Sequence, residues 1–325
     1  MWNNVHGLTY TYFTRFPHYK NLNRGVSIME ENREYIIVTD SCGDMDKRYY
    51  TVNNVEVVGF SYTIDHQKFT QCSEREMDTK SFYDRMKKGS MPTTDPLSYE
   101  EVTKKMEKLV DKGYDIFFLS FSGGLSASYQ TTQIAAEDIM AKHPGSVIRV
   151  VDSTCATNGQ GLLLHLCVKK KAAGVPLDEL VKYAERTKGH VVHLVSVEDL
   201  NHLHRGGRLS KASAVIGSIL NVKPLITVDD SGRIVNYGKA SGKKKAHETI
   251  VKHMKQKYIP GENEEVFIGH GECLADAEEV GRMILSEMPD VKRIRYITVG
   301  PVIGAHTGGG GIVLAFIGNN RDAVK

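Results

Sequence analysis

The sequence predicts an α/β protein with two domains, and three observations carry that prediction. Short apolar runs alternate with amphipathic segments through the first half of the chain, which is the pattern of a parallel sheet covered by helices. Hairpin-linked strands replace this alternation after about residue 190, which indicates an α+β domain. The chain has 325 residues, and this is longer than a single hydrophobic core usually supports.

The first predicted domain covers residues 35–189, after an N-terminal extension of residues 1–34 to which we assign no function. Buried strands are expected at residues 35–39, 55–60, 116–119 and 147–151. Helices are expected at residues 78–88, from Ser98 to Gly113, from Gln130 to Ala141, and at residues 158–173 and 177–188. Ser98 and Glu101 have the spacing of a capping box.

Polar loops follow three of these strands, at Asp40-Ser41, at residues 120–128 and at residues 152–154. Ligands of parallel sheets bind at the carboxyl ends of the strands. We therefore expect the three loops to lie close together around a site.

The second predicted domain covers residues 190–325. Asp229-Asp230-Ser231-Gly232 predicts a hairpin between strands at residues 225–228 and 233–237. A basic helix at residues 243–258, a strand at residues 265–270 and a helix at residues 275–287 follow. Two final strands, at residues 294–299 and 312–317, flank a glycine-dense turn that contains His306.

The composition excludes several classes of protein. A net charge of +3 is too small to indicate a nucleic-acid partner, and no apolar run approaches the ~20 residues of a membrane span. Five cysteines, without paired or metal-ligand spacing, are expected to be reduced thiols in a cytoplasmic protein. Neither GxGxxG after the first strand nor GxxxxGK[ST] is present, so no nucleotide motif is found.

Five residues are candidates for a binding site. His306 has small neighbours on its glycine-rich turn, which favours a ligand contact over a role in filling the core. Ser126 precedes a helix and can bind an anion or simply cap the helix. Thr93-Thr94 between two prolines can offer hydroxyls or form an ordinary turn. Arg208 can bind an anion or hold the domain interface.

Six motifs, in this order along residues 35–318, resemble those of the DegV family. They are Ile37-Val38-Thr39-Asp40-Ser41, Thr93-Thr94-Asp95-Pro96, Ser122-Gly123-Gly124-Leu125-Ser126-Ala127-Ser128-Tyr129-Gln130, Val150-Val151-Asp152-Ser153, Arg205-Gly206-Gly207-Arg208-Leu209-Ser210-Lys211, and residues 300–308. The resemblance implies a DegV-like two-domain fold that binds one long-chain fatty acid, such as palmitate, stearate or oleate, between its domains and needs no cofactor.

In bacteria such proteins are the binding subunits of fatty acid kinase. The resemblance therefore implies a non-catalytic protein of phospholipid metabolism that presents the acyl carboxylate to a separate, ATP-dependent kinase subunit. A transient contact with a membrane surface is compatible with this role. The carboxylate-binding residues of the family fall on Thr93 or Thr94, on Ser126 and on His306. Secondary candidates are Thr307, Arg208 and Asp40.

The sequence departs from the family pattern at three places. Asp95 replaces glutamine and adds a negative charge beside the expected carboxylate site. Ala127 replaces a glycine after Ser126. Ser241-Gly242-Lys243 stands where the family often has arginines, so an arginine contact there is not expected.

The acyl chain requires an apolar tunnel, whose wall is expected from the second domain. Candidates are Ile216, Ile219, Leu220, Val222 and Leu225, each of which can equally be ordinary core. Two other functions remain open. A serine esterase would use Ser126, His306 and Asp40, although the nucleophile-elbow motif lacks its last glycine. The other open function is that of a phosphotransfer subunit of related architecture, which would act on a sugar or dihydroxyacetone.

Overall fold

The computed structural model describes residues 33–74, 76–209 and 221–321, and these belong to one compact unit that begins at Arg33. The expected extension lies outside the described residues except for its last two positions. The strands are β1 (Tyr35–Asp40), β2 (Val55–Val58), β3 (Ser61–Ile64), β4 (Gln67–Thr70), β5 (Thr93–Thr94), β6 (Asp115–Ser120), β7 (Ile148–Asp152), β8 (Val191–Ser196), β9 (Val222–Val228), β10 (Ile234–Ser241), β11 (Glu265–His270), β12 (Arg293–Thr298) and β13 (Ile312–Ile317).

The helices alternate with the strands in the first half, as the sequence predicts. They are α1 (Lys47–Val52), α2 (Thr79–Lys87), α3 (Tyr99–Val110), α4 (Ser128–Lys142), α5 (Thr157–Ala172), α6 (Leu177–Lys188), α7 (Asn201–Arg205), α8 (Lys243–Lys257), α9 (Leu274–Glu287) and α10 (Pro301–Thr307). Among the described helices, none is long and apolar enough to cross a membrane.

A four-stranded parallel sheet, in the order β2-β1-β6-β7, forms the first layer. Its central strands are buried on both faces, which is why they read as continuous apolar runs. Val38 and Phe118 pack with α3 and α4 on one face, whereas Ile37 and Phe117 pack with α5 on the other. The α/β fold class is therefore confirmed.

A six-stranded mixed sheet, in the order β10-β9-β8-β13-β11-β12, forms the second layer. Asp229–Gly232 joins the antiparallel pair β9 and β10, so the predicted hairpin is confirmed. Alternate residues of β8 serve the two faces. Val192 and Leu194 pack in a core with α8 and α9, whereas Val195 faces the core shared with the first sheet.

Two local predictions are wrong. Ser98 precedes α3, but its side chain makes no capping hydrogen bond. The glycine-dense turn before β13 contains the helix α10, whose first residue is Pro301 and whose carboxyl end is followed by Gly308 with φ of 73°. Proline at the first position is already in helical geometry, and the burial of the first turn outweighs the low helix propensity of the glycines.

The start of α10 is held by two side chains from the first half of the chain. Gln71 accepts a hydrogen bond from the backbone N–H of Val302 (3.2 Å) and donates one to Asp44 (3.0 Å). The N–H of Gly300 donates to Asp44 as well. A Cβ at Gly300 would overlap both side chains, so only glycine allows this approach. Asp44 and Gln71 thereby position α10 against the first sheet.

Candidate functional site

An apolar cavity, partly open to solvent, lies between the two sheets. The second sheet contributes side chains from β8, β9 and β13, and the first half contributes residues that follow its strands. The apolar lining is Cys42, Phe60, Pro96, Phe121, Leu125, Ala156, Val195, Leu203, Ile226, Val228, Ile234, Val302, Ile303 and Val313.

A polar cluster of Thr94, Ser126 and His306 belongs to the lining of this cavity. The Oγ1 of Thr94 lies 2.8 Å from the Nε2 of His306. Thr94 is placed by the pairing of β5 with β3, and His306 by the last turn of α10. Strand and helix therefore bring together two residues that lie 212 positions apart in the sequence.

His306 is neutral over the ordinary pH range. Burial, followed by the positive charges of Arg208 and Arg205, lowers its pKa to about 4. Its ring packs against Gly206, where a Cβ would overlap Nδ1. Nδ1 has no hydrogen-bond partner within the described part of the chain. His306 therefore lines the cavity as a neutral imidazole, which is hydrogen-bonded to Thr94 through Nε2 and can donate one hydrogen bond.

Ser126 lies at the cavity just before α4. Its Oγ is 2.8 Å from the Oγ of Ser128 and accepts the N–H of Ser128. Ser128 in turn accepts the N–H of Leu97 (2.9 Å), which joins this loop to the segment after β5. Both alternatives for Ser126 are thus compatible with its position, since it bonds the helix start and lines the cavity.

Arg208 bridges the two halves of the structure at the same place. Its Nε donates to the carbonyl of Leu125 (3.0 Å), and its Nη1 donates to the carbonyl of Gly206. Arg208 also lines the cavity. It therefore holds the interface while its charge contributes to keeping His306 neutral.

The secondary candidates Thr307 and Asp40 differ in whether they line the cavity. Thr307 lines the cavity. Asp40 does not: it is completely buried and accepts hydrogen bonds from the N–H groups of Phe121 (2.6 Å) and Cys42 (3.0 Å). Burial raises its pKa to about 6. Its carboxylate is used to fix the loops after β1 and β6.

Thr93 is exposed, and it lines a neighbouring surface cleft instead of the cavity. Successive residues of a strand point to opposite sides, so only Thr94 of the pair faces the cavity. Asp95, whose negative charge the family pattern lacks, lines the cavity and forms an ion pair with Lys68 (2.9 Å) at the surface. Lys243 pairs with Asp276 (3.0 Å) and is not part of the cavity lining.

The expected tunnel wall is displaced by one residue. Leu225 packs into the core under α8 and α9, whereas the next residue, Ile226, lines the cavity. Val222 does not line the cavity. Ile216, Ile219 and Leu220 lie outside the described residues.

Three further polar side chains line the cavity and were missed: Thr157, His193 and Thr227. Thr157 donates to Asp44 (2.7 Å), and Thr227 donates to the carbonyl of His193 (2.6 Å). The alternation of β8 places His193 on the same side as Val195, which is a signal that the sequence does contain. Their proximity to a cavity depends on the packing of the sheets and is not visible in any local pattern.

The residues of the esterase hypothesis are not connected by hydrogen bonds. Ser126 bonds Ser128, and His306 bonds Thr94. Asp40 bonds backbone N–H groups and Gln160. Ser126, His306 and Asp40 therefore do not form the hydrogen-bonded series of nucleophile, base and orienting acid that a serine esterase uses. Within the described ranges, no group of three His, Cys, Asp or Glu side chains could hold a metal ion.

The fold and the site define a class: α/β proteins with an apolar cavity between two sheets and a Thr–His pair at its wall. A family model described as "Uncharacterised protein, DegV family" matches residues 35–319. The chain therefore belongs to the DegV family.

Relatives of this family match the chain over nearly their whole length. A DegV domain-containing protein of Clostridium perfringens is 33% identical, covering 89% of this chain and 99% of the relative. The crystal structure of DegV from Bacillus subtilis, described as a fatty acid binding protein, is 27% identical with a TM-score of 0.73, covering 87% and 99%. A Ruminococcus gnavus DegV family protein with vaccenic acid has a TM-score of 0.78 at 22% identity, covering 86% and 99%, and shows the shared fold.

Proposed function

We propose that this protein binds one long-chain fatty acid in the cavity between its predicted domains, residues 35–189 and 190–325. The observation that carries the proposal is the cavity itself, which is apolar over most of its wall and includes the polar cluster of Thr94, Ser126 and His306. The fatty acid binding described for the Bacillus subtilis relative supports it.

The acyl chain would supply most of the affinity. Burial of a methylene group contributes about 0.8 kcal/mol, so a sixteen-carbon chain can contribute roughly 12 kcal/mol before ordering costs. Aliphatic side chains of β8, β9 and β13 offer a continuous surface for such a chain. No strong ion pair with the carboxylate is then needed.

The carboxylate would be held by neutral donors. An ionised carboxylate is costly to bury unless it is hydrogen-bonded. The hydroxyls of Thr94 and Ser126 and the imidazole of His306 can donate to it, and Arg208 adds a positive charge at the same wall. Carboxylate binding favours the protonated imidazole, so a bound ligand would raise the pKa of His306 from its low value.

Access to this carboxylate is the basis for a role beside a kinase. A surface cleft shares Thr94, Arg208 and His306 with the cavity and also contains the exposed Arg205. A separate, ATP-dependent kinase subunit could reach the carboxylate there and convert it to an acyl phosphate. The fatty acid would be collected in a transient contact with a membrane surface.

Mass spectrometry of the purified protein after solvent extraction tests the binding step. We expect one fatty acid per chain, exchangeable with labelled palmitate or oleate. A protein that is empty and takes up neither probe would refute the proposal. Thr94→Val should weaken palmitate binding about tenfold, because it removes a hydroxyl but keeps the shape of the side chain. Thr93→Val is the matched control, since Thr93 lies outside the cavity lining.

The presentation step has its own test. A cognate kinase subunit and ATP should convert bound palmitate to a species that hydroxylamine traps as the hydroxamate. The binding protein without the kinase subunit should give none. Hydroxamate formed by this chain and ATP alone would contradict a non-catalytic role.

A further inference from the structure

The surface cleft beside the polar cluster carries more positive charge than one carboxylate can balance. It shares Thr94, Arg208 and His306 with the cavity, so the two spaces meet at the place proposed for the carboxylate. The rest of its wall consists of Met91, Pro92, Thr93, Arg205, Gly206 and Ala305. Among the described residues of this wall there is no aspartate or glutamate, and His306 is neutral, so the two arginines give the cleft a charge of +2.

Both arginines belong to one short turn that is packed against His306. The helix α7 ends at Arg205, and Gly207, with φ of 71°, lets the chain turn so that Arg208 also reaches the cleft. Between them, Gly206 lies directly against the ring of His306. The turn thereby holds two guanidinium groups beside the same imidazole, whose pKa both of them lower.

Neither guanidinium group is neutralised by a carboxylate. The arginine–carboxylate pairs of the described residues include neither Arg205 nor Arg208. Arg208 uses Nε and Nη1 for two backbone carbonyls, and its Nη2 has no partner in the described part of the chain. Arg205 is exposed, and its one side-chain contact there joins Nη2 to Nδ1 of His202 (3.2 Å). The cleft therefore offers charged N–H donors that face solvent.

A phosphoryl group fits these donors better than a second carboxylate does. A phosphate monoester carries about −1.5 to −2 charge at pH 7 and has three acceptor oxygens. The planar guanidinium group binds two such oxygens at once. Thr93, which is exposed and lines the cleft, adds a hydroxyl donor. The charge of the cleft thus matches a phosphoryl dianion.

We propose that the cleft is a binding subsite for the phosphoryl group of an acyl phosphate whose acyl chain occupies the cavity, and that Arg205 and Arg208 bind the phosphoryl oxygens. The proposal rests on the proposed function, since the cavity has to hold the acyl chain. Phosphorylation of the carboxylate then tightens binding, and the protein retains the acyl phosphate instead of expelling it.

A stable analogue of palmitoyl phosphate tests the proposal. In 2-oxoheptadecylphosphonate a methylene group replaces the bridging oxygen, so the labile anhydride bond is absent. Titration calorimetry should show that the wild type binds this phosphonate about tenfold more tightly than palmitate, because charge-assisted hydrogen bonds are gained. Arg205→Gln should weaken the phosphonate about tenfold for the same reason. Palmitate should change by less than about twofold, since Arg205 is outside the cavity lining and its exposed charge is screened.

Arg233→Gln is the matched control. Arg233 is also exposed, but it lines another cleft that does not contain Arg205. This substitution removes the same charge and should leave both ligands unchanged. An equal loss of phosphonate binding in the two variants would show that only the net charge matters, and would overturn the subsite. Millimolar inorganic phosphate should not displace the phosphonate, and displacement would assign the cleft to a free anion instead of an acyl phosphate.

Failure of the subsite and failure of the proposed function give different results. If palmitate binds but the phosphonate binds more weakly, and Arg205→Gln does not change the phosphonate, the cleft does not bind a phosphoryl group and the fatty acid function stands. If palmitate does not bind, the proposed function itself is refuted.

A measurement on the wild type guards against loss of folding in the variants. The ³¹P chemical shift of the bound phosphonate, followed against pH, reports the second pKa of its phosphonate group. This pKa should be lower in the complex than in water, because nearby guanidinium groups favour the dianion. Arg205→Gln should restore part of the difference. An unchanged pKa on binding to the wild type would overturn the assignment.

Discussion

Val195→Phe is expected to shorten the part of the cavity that is available to an acyl chain. Val195 is 7% exposed and pairs with Ile226 and Val313 in the neighbouring strands, and all three residues line the cavity. Phenylalanine places about four more carbon atoms in the same space. Exclusion of about four methylene groups, at about 0.8 kcal/mol each, costs about 3 kcal/mol, or about 150-fold in affinity for palmitate.

The dependence on chain length is the assay. Titration calorimetry with the even-numbered acids from octanoate to octadecanoate should show a rise of about fourfold per methylene group in the wild type. In Val195→Phe the rise should stop about four carbons earlier, while octanoate keeps its affinity.

Two outcomes would refute this reasoning. An equal loss for octanoate and palmitate would mean that the substitution acts on folding or on the carboxylate site. No loss for palmitate would mean that the acyl chain does not lie beside β8. Val195→Ala is the matched control, because it widens the same wall and should leave long chains bound.

Three further predictions concern the carboxylate site and the core. Gly206→Ala should weaken palmitate binding about tenfold, because the new Cβ displaces the His306 ring. Gly189→Ala, at another helix end with open space around it, should leave palmitate binding unchanged, and equal effects of the two substitutions would contradict this prediction. His306 has a folded pKa of about 4 against 6.5 when unfolded, so its contribution to stability is present above pH 6.5 and lost as the pH falls through this window. In urea titrations, the unfolding free energy of His306→Gln should therefore rise less steeply with pH than that of the wild type, by up to about 1.4 kcal/mol per pH unit. An unchanged slope would argue that His306 is solvated. Arg321→Met should lower the unfolding free energy by at least about 3 kcal/mol, because the buried guanidinium donates to the carbonyls of Thr154 and Val191. A change below about 1 kcal/mol would show that these carbonyls find other partners.

The local sequence pattern was sufficient for the elements that are buried on both faces. Apolar runs such as residues 35–39 and 116–119 predicted the central strands, because a parallel strand covered by helices cannot alternate with polar residues. The hairpin at Asp229–Gly232 was also predictable, since its turn residues fix the connection.

Other features depend on contacts between distant segments. The helix that carries His306 begins where Gln71 and Asp44 bind its first N–H groups, and these residues come from the other half of the chain. Asp40 was correctly expected at the end of β1, but its partners are the backbone of the neighbouring loops. For this reason the polar loops could be predicted to meet, but the roles of their side chains could not.

The wall of the cavity shows the same limit at the scale of one residue. Leu225 and Ile226 are adjacent and equally apolar, and only the register of β9 against β8 decides which of them faces the cavity. A shift of one position exchanges the two faces of a strand. His193 was missed for a related reason, because a polar residue in an apolar strand does not reveal on which side a cavity lies.

A crystal structure with 16-bromohexadecanoate would test the central claim most directly, because anomalous scattering locates the bromine independently of the rest of the ligand. We expect a carboxylate within hydrogen-bond distance of Thr94, Ser126 and His306, and a bromine in the apolar part of the cavity between the two sheets. A ligand in the reverse orientation, or a bromine outside the cavity, would contradict it.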